Sequence, residues 1–216
     1  MKIKQSVMCQ LGLFGLAVLY SLYMAGHMPD TVPTHWNAAG HVDAYGSKWI
    51  NLLLLPGVLL FMTGLTLALP KLSPQKFEIE PFEQTYSYIM VLVTAMMLCL
   101  HIVIVQTSAG AHTDMNTVMF VILFAFFALL GNVMGRIKRN FYMGVRTPWT
   151  LADERVWHST HRFTGRLWLA GGILGAVAAL AGAPFWLDLG FLLVVSMLPI
   201  GYSYVEYQKL PKDSGS

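Results

Sequence analysis

Long apolar runs alternate with short polar segments along the whole chain. Six of the runs are about 20 residues long, the length that an α-helix needs to cross the hydrocarbon core of a bilayer. Backbone groups cannot stay unpaired in lipid, and no run alternates as a barrel strand does, so each run is predicted as a helix. The six predicted spans are residues 6–26, 49–69, 86–107, 115–134, 163–181 and 185–204.

Composition agrees with this pattern. Of the 216 residues, 56% are hydrophobic and 12% are charged, about half the charged share of an ordinary soluble domain. We therefore predict an all-α integral membrane protein, a bundle of six transmembrane helices. The first run follows Lys2 and Lys4 as a signal peptide would, but its apolar stretch is too long for one, so it is predicted as an uncleaved span. Cys9 and Cys99 fall inside spans and are predicted as small core residues.

The distribution of Lys and Arg predicts orientation, because cytoplasmic loops carry an excess of both residues. The segment between the fourth and fifth spans is the most basic, and both ends of the chain are basic as well. Placing both termini in the cytoplasm puts every basic residue except Lys48 on the cytoplasmic side. The predicted location is the plasma (inner) membrane, with a multi-pass N-in/C-in topology.

The outer loop, residues 27–48, is rich in Pro, Gly, Asn and Asp, which predicts an ordered set of turns. Imidazole and carboxylate groups suit Zn²⁺, so one hypothesis is a metal site formed by His35, His41, Asp43 and His101. The spacing of these residues matches no standard zinc signature. In the alternative interpretation, His35 and Asp43 hold the loop together through hydrogen bonds to its backbone.

His101 lies inside the third span, about 9 Å below its outer end at 1.5 Å per residue. An ionisable group at such a depth is costly and usually faces the interior of a bundle, so His101 is a candidate functional residue. Gln106 and Asn132 are predicted to be polar partners of His101 or of each other. Within the fifth span, Gly171 and Ala179 belong to a repeat of small residues four apart, which predicts a face for close helix packing.

The elbow, residues 135–165, joins the fourth span to the fifth and is too polar to cross a membrane. Pro148 suits a helix start, and Thr150 with Asp153 resembles a capping box. A helix is predicted to run from Leu151 into the fifth span without a break. Two interpretations stay open: an interfacial segment whose tryptophans anchor in lipid headgroups, and a docking surface or functional pocket.

The elbow and the outer loop together carry a family resemblance. The stretch 131–168 is similar to the signature of the SdpI family of bacterial membrane proteins, and the outer loop resembles a domain of unknown function often found ahead of that signature. The positions that match the signature are Gly131, Asn132, Asn140, Gly144, Arg146, Thr147, Pro148, Trp149, Thr150, Leu151, Trp157, Thr160, His161 and Gly165. The positions that match in the outer loop are His35, Asn37, Gly40, Asp43, Gly46 and Lys48.

The resemblance implies a six-helix protein of the bacterial plasma membrane with no established catalytic activity. The founding member of the family is an immunity protein, which protects a toxin-producing bacterium from its own secreted peptide. It also holds a transcriptional repressor at the membrane once toxin is present. The expected partners are therefore the lipid bilayer, an extracellular peptide ligand and a cytoplasmic repressor, with no direct contact to nucleic acid.

The resemblance also supplies candidate site residues and a division of the chain. A two-span module, residues 1–70, is predicted to carry the outer loop, and a four-span module, residues 71–216, is predicted to carry the elbow. The predicted partner-binding residues are Asn132, Asn140, Gly144, Arg146, Pro148, Trp149, Thr150, Trp157, Thr160 and His161, with His35, Asn37, Gly40, Asp43 and Lys48 on the outer loop.

The alternative function is a small membrane transporter or a metal-dependent membrane enzyme that uses the outer His and Asp residues. No nucleophile–base pattern, phosphate-binding loop or recognised metal motif supports an enzyme. The spans also lack the breaks and midplane charges that are typical of transporters. A non-enzyme without a cofactor is therefore expected, with zinc at the outer loop as the alternative.

Overall fold

The structure is a computed structural model, and it describes residues 1–74 and 78–211. Lys76 and Lys212, two of the basic residues used to predict orientation, lie outside this part of the chain. The described chain is mostly helical, and six of its helices are long and apolar enough to cross a membrane, as predicted. Its helices are α1 (Ile3–Ala25), α2 (Lys48–Leu72), α3 (Glu83–Ser108), α4 (Met115–Met134), α5 (Pro148–Ala152), α6 (Glu154–Leu180) and α7 (Phe185–Gln208).

The outer loop is more regular than a set of turns. It forms an antiparallel hairpin of β1 (Thr31–Trp36) and β2 (Val42–Ser47), which corrects the prediction. Val32 is fully buried and fixes β1 against the bundle. At the tip, the Asn37 side-chain oxygen accepts hydrogen bonds from the backbone N–H groups of Ala39 and His41, and Gly40 has a φ of 77°. This tight turn lets a short polar segment pair with itself.

The bundle has two distinct ends. The hairpin end carries β1 and β2, and the hairpin is fixed there by the Asn51 amide, which donates to the carbonyl of Pro33 at 2.8 Å. The elbow end carries the elbow and the start of α1, where the Ile3 N–H donates to the Glu83 carboxylate at 2.9 Å. The chain between α4 and α6 therefore lies at the opposite end of the bundle from the hairpin.

The helices pack as two groups. α1, α2 and α3 contact one another, α4 packs along α6, and α7 packs against α6 and also touches α4, with α3 and α4 joining the groups. Because α3 contacts α1 and α2 as well as α4, the packing gives no separate boundary near residue 70, and the predicted two-module division stays a prediction. Cys9 and Cys99 are exposed on the outside of the bundle, so their predicted core positions are wrong.

Small residues allow the closest helix contact, which is between α4 and α6. A Cβ added to Gly165 would lie 2.9 Å from the carbonyl oxygen of Gly131, so the two backbones meet directly. The predicted small face of α6 also packs against its neighbours. Gly171 lies against Val195 of α7, and Ala179 is buried.

Three prolines lie inside the long described helices, and each leaves the carbonyl four residues earlier without its helical donor. In lipid such a carbonyl needs another partner. A side chain from a neighbouring helix supplies the partner each time. The three sets are Pro56 with Leu52 O and Ser21 Oγ at 2.7 Å, Pro70 with Thr66 O and Tyr86 Oη at 2.9 Å, and Pro199 with Val195 O and Trp168 Nε1 at 3.2 Å. Each proline therefore creates a specific bond between two helices.

Candidate functional site

His161, on the first turns of α6, is the central residue of the elbow. Its side chain is buried, and its Nε2 lies 3.0 Å from the backbone nitrogen of Val145. A backbone N–H can only donate, so Nε2 accepts this bond. Nδ1 then carries the proton and donates to the carbonyl oxygen of Trp157 at 2.8 Å. The two contacts therefore select one neutral tautomer of the imidazole and leave neither nitrogen for a metal or a ligand.

Trp157 is a core residue and not a lipid anchor. Its side chain is fully buried, stacks on the His161 ring with the centroids 4.0 Å apart, and donates from Nε1 to the carbonyl of Ile137 at 2.8 Å. Ile79 and Phe82, which precede α3, belong to the same apolar cluster. The interfacial interpretation of this tryptophan is therefore wrong, because three parts of the chain close over it.

Asn140 closes the loop that follows α4. Its Nδ2 donates to the carbonyls of Lys138 and Met143, and its Oδ1 accepts from the backbone N–H groups of Tyr142 and Met143, all between 2.8 and 3.1 Å. These four bonds use the donors and acceptor positions that an amide offers. The buried Asn140 therefore shapes the elbow and is not free to bind a ligand.

The predicted continuous helix from Leu151 is interrupted at Asp153. Thr147 caps α5, which ends at Ala152, and the capping box pairs Thr147 with Thr150. Asp153 is extended, with φ −133° and ψ 130°, and caps α6 by accepting from the N–H of Arg155 at 2.7 Å. The predicted Thr150–Asp153 capping box is therefore wrong, because each of these residues serves a different helix.

Charge and hydrogen bonding stabilise this junction. The Arg155 side chain donates to the Asp153 carboxylate at 2.9 Å and, together with backbone N–H groups, lowers the pKa of that carboxyl. Asp153 therefore stays ionised at the positive end of the α6 dipole. His158 lies 3.4 Å from Glu154, which confirms that these two side chains share a helix face.

The elbow is also tied to α7, a connection that sequence reasoning missed. The hydroxyls of Thr147 and Ser203 lie 3.0 Å apart, and Ser159 donates to the Glu206 carboxylate at 2.7 Å. Ser203 and Glu206 are three positions apart on α7 and so project on the same side. This spacing was the signal that the sequence offered, but it did not specify which residues Ser203 and Glu206 would contact.

The remaining signature residues form the elbow's outer surface. Arg146 is exposed, and its guanidinium donates to the carbonyl of Phe141. Pro148 is exposed at the start of α5, and the half-buried Trp149 packs on Tyr204 with ring centroids 5.0 Å apart. Arg146, Pro148 and Trp149 are called the elbow surface below. An exposed cation and a half-buried tryptophan on one segment suit contact with an acidic protein surface or with lipid headgroups.

Three further signature positions lie apart from this surface. Asn132 is exposed on α4, outside the elbow, and Thr160 is fully buried on α6. Thr150 is buried as well and donates to the carbonyl of Val145 at 2.8 Å. The predicted partner-binding residues therefore divide into an internal set that folds the elbow and an exposed set that is open to a partner.

On the hairpin, His35 and Asp43 form a cross-strand pair. Nδ1 of His35 lies 2.5 Å from the Asp43 carboxylate, and both side chains are exposed. The tip is held separately, because the Asn116 amide of α4 donates to the carbonyl of Ala38 at 3.0 Å. The hairpin therefore presents a paired imidazole and carboxylate on a surface that is fixed to the bundle.

Lys48 explains why one basic residue lies at the hairpin end. Its side chain is 14% exposed, and its Nζ donates to the carbonyls of Ala25 and Met28 and pairs with Asp30 at 3.0 Å. Ala25 is the last residue of α1, where carbonyls lack helical donors and a positive charge is favourable. Lys48 therefore completes the end of α1.

The four predicted metal ligands are not brought together. His101 is buried among α1, α2 and α3, where its Nε2 lies 2.9 Å from the hydroxyl of Ser21, not beside Gln106 or Asn132 as predicted. In the described residues, no three His, Cys, Asp or Glu side chains form a group that would hold a metal ion. His35 and Asp43 are the predicted ligands that do meet, so zinc at the hairpin stays a prediction.

This fold and site define a class: a six-helix membrane protein with a folded hairpin at one end and a folded, basic elbow at the other. The SdpI/YfhL protein family matches residues 136–203, and the Domain of unknown function (DUF1648) matches residues 12–60. The chain is thus similar to the SdpI/YfhL family behind its match to that domain, and the resemblance predicted from the sequence is confirmed.

Two relatives extend the comparison. The chain is 25% identical over 200 residues to Immunity protein SdpI of Bacillus subtilis (strain 168), a match that covers 90% of this chain and 92% of that protein. It is 38% identical over 65 residues to an uncharacterised protein of Archaeoglobus fulgidus, covering 29% of this chain and 35% of that protein. No solved structure matches the chain.

Proposed function

We propose that this protein is a bacterial immunity protein of SdpI type, which protects the cell from an extracellular membrane-active peptide. The observation that carries the proposal is the likeness to Immunity protein SdpI, which runs through 90% of the chain and is not confined to one motif. The relative is named for immunity and not for an enzymatic activity, which favours a non-catalytic role for this chain.

The proposed orientation places the hairpin outside the plasma (inner) membrane and the elbow, with both termini, in the cytoplasm. The excess of Lys and Arg at the elbow end supports it. Lys48 is compatible with it because its charge is needed to complete α1. The test uses a Cys9→Ser/Cys99→Ser background and a membrane-impermeant thiol reagent. The reagent should label Ala44→Cys in intact cells, and it should label Lys138→Cys only after the cells are lysed.

The proposed division of labour follows from burial. The hairpin receives the peptide, and the elbow surface recruits a cytoplasmic protein, for which a repressor is the candidate that the family suggests. The buried residues of the elbow already use their polar groups internally, whereas Arg146 and Trp149 have surface to offer. A cationic patch of this kind attracts an acidic partner surface.

Immunity is tested by deletion and complementation. The deletion strain should lose survival against a panel of secreted, membrane-active peptides, and the wild-type gene should restore it. Arg146→Ala and Trp149→Ala should fail to restore survival at unchanged protein level, whereas Arg162→Ala, a substitution of an exposed arginine at the same end, should restore it. Normal survival of the deletion strain across the panel would refute the immunity proposal.

A further inference from the structure

α2 contacts both ends of the molecule through specific hydrogen bonds. In its first turn, Asn51 holds the hairpin by donating to the carbonyl of Pro33 at 2.8 Å. At its last residue, the carbonyl of Leu72 accepts a hydrogen bond from the Tyr142 hydroxyl of the elbow at 2.8 Å. One helix therefore joins the proposed peptide-binding end to the elbow.

Near the hairpin end, a neighbouring helix bonds to α2 at a point where the helical hydrogen bonding of α2 is interrupted. Pro56 removes the helical donor for the Leu52 carbonyl, and Ser21 of α1 donates to that carbonyl at 2.7 Å. Because the serine proton is used there, the hydroxyl oxygen accepts the bond from Nε2 of His101 on α3 at 2.9 Å. Ser21, Leu52 and His101 are all buried, so water does not substitute for either bond. The hydroxyl of Ser21 thus connects three helices.

Near the elbow end, α2 is pinned a second time. Pro70 frees the carbonyl of Thr66, and the buried Tyr86 of α3 donates to it at 2.9 Å. The Thr66 hydroxyl reaches α1 as well, through the side-chain oxygen of Gln10 at 3.0 Å. Helices bend at prolines in preference to other positions, so Pro56 and Pro70 are the positions at which α2 bends most readily.

We propose that α2 couples the hairpin to the elbow, bending at Pro56 and Pro70 under the control of the Ser21 and Tyr86 bonds. The hairpin-bound turns of α2 move with the hairpin, because β2 leads directly into α2 and Asn51 fastens its first turn to Pro33 of β1. A change of angle at Pro56 displaces the far end of a 25-residue helix, where Leu72 meets Tyr142. The coupling goes beyond the proposed immunity function and does not depend on which peptide binds.

The test uses a thiol at the elbow as a reporter and needs no ligand. Met143, half-buried beside Tyr142, is replaced by Cys in the Cys9→Ser/Cys99→Ser protein, and the rate of maleimide labelling is measured in lipid nanodiscs. Ser21→Ala, which alters a site at the opposite end, should raise the labelling rate by about 2- to 30-fold. Ser196→Ala should leave the rate unchanged, since that hydroxyl bonds within its own helix.

A double-mutant cycle separates this coupling from a general loss of stability. Pro56→Ala restores a donor for the Leu52 carbonyl inside α2, so Ser21 then keeps only its bond to His101. The single Pro56→Ala change should raise the labelling rate, and adding Ser21→Ala to it should have a smaller effect than Ser21→Ala has in the background that retains Pro56. Effects of Ser21→Ala that are equal in both backgrounds would overturn the proposal.

Coupling between two sites is reciprocal, which gives the second arm of the experiment. Tyr142→Phe, which removes the bond to Leu72 at the elbow, should raise the labelling rate of Thr34→Cys on the hairpin. An unchanged rate at Thr34→Cys, in variants that remain monodisperse, would show that the hairpin and the elbow are independent. That result would leave the immunity proposal standing, because survival in the presence of the peptide is measured separately.

Discussion

Gly144 lies directly against the Nε2 edge of the His161 imidazole, so closely that a methyl group at this position would overlap the ring. The same glycine has a φ of 103°, a backbone conformation that residues other than glycine rarely adopt. Its neighbour Val145 can then turn its N–H toward Nε2. The glycine and the histidine of the signature are therefore parts of one packing arrangement.

Gly144→Ala is expected to lower the free energy of unfolding by about 1–3 kcal/mol for backbone strain, with a further loss from displacement of His161. The matched control is Gly110→Ala. Gly110 has a nearly equal φ of 101° but open space around it, so this variant shows the strain alone. Thermal unfolding in detergent should rank Gly144→Ala clearly below Gly110→Ala, and equal losses would mean that contact with His161 contributes nothing.

The Asp153 carboxyl predicts a pH dependence at the start of α6. Its pKa is lowered below the ordinary 3.8 in the folded protein, so its contribution is fully present at neutral pH. The contribution declines as pH falls below that ordinary value and vanishes below the lowered pKa. Asp153→Ala should cost about 1 kcal/mol at pH 7, as loss of a helix cap does, and much less at acidic pH.

Asp153→Asn separates the cap from the charge. Asparagine caps helices about as well as aspartate, so this variant keeps the bond to the Arg155 N–H and loses the ion pair. Unfolding measured from pH 7 downward should show a smaller loss than for Asp153→Ala, without a titrating step from residue 153. A step of wild-type size in Asp153→Asn would assign the titration to another group.

The spans were predictable because the bilayer imposes a length on every apolar run, and each predicted span lies almost entirely within one helix. Burial in the elbow was not predictable in the same way. A tryptophan beside basic residues has the same local sequence whether it anchors in headgroups or fills a core. What buries Trp157 is a cluster that includes Ile79 and Phe82, which are distant in sequence.

Polar partners inside the bundle show the same limit. From the sequence, Pro56 indicates that the carbonyl four residues earlier lacks its helical donor. The sequence does not indicate which residue supplies a donor instead. Ser21 and His101 are 80 positions apart, and a half-turn rotation of α1 about its axis would separate them. Hydrophobic periodicity specifies that a helix has a buried face and does not specify contacts between faces.

Tyr86→Phe tests a proline-linked bond with the loss of one oxygen atom. The variant leaves the Thr66 carbonyl buried without its donor, which should cost about 1–3 kcal/mol in equilibrium unfolding. In a Pro70→Ala background the cost should shrink, because residue 70 then donates to Thr66 within α2. A cost that is equal with and without Pro70 would mean that the tyrosine contributes by packing alone.

Zinc at the hairpin is tested by calorimetric titration of the purified protein. If His35 and Asp43 supply ligands, wild type should give a saturable heat with Zn²⁺ that His35→Ala loses. His27→Ala is the control, since His27 is also exposed near the hairpin but bonds to the carbonyl of Tyr23. A heat that is the same in all three proteins, or absent from wild type, would end the hypothesis.

Gly131→Ala should disrupt the close contact between α4 and α6. The added carbon would lie 2.8 Å from the carbonyl oxygen of Gly165 and 2.9 Å from the carbonyl carbon of Trp168, and both are backbone atoms that cannot rotate away. α4 and α6 must then separate along their contact, with an expected loss of about 1–3 kcal/mol or more. Gly57→Ala, in a helix position with open space, should be neutral or slightly stabilising. Unfolding in mixed micelles compares the two variants directly, and similar stabilities would mean that the α4–α6 contact adapts to a methyl group.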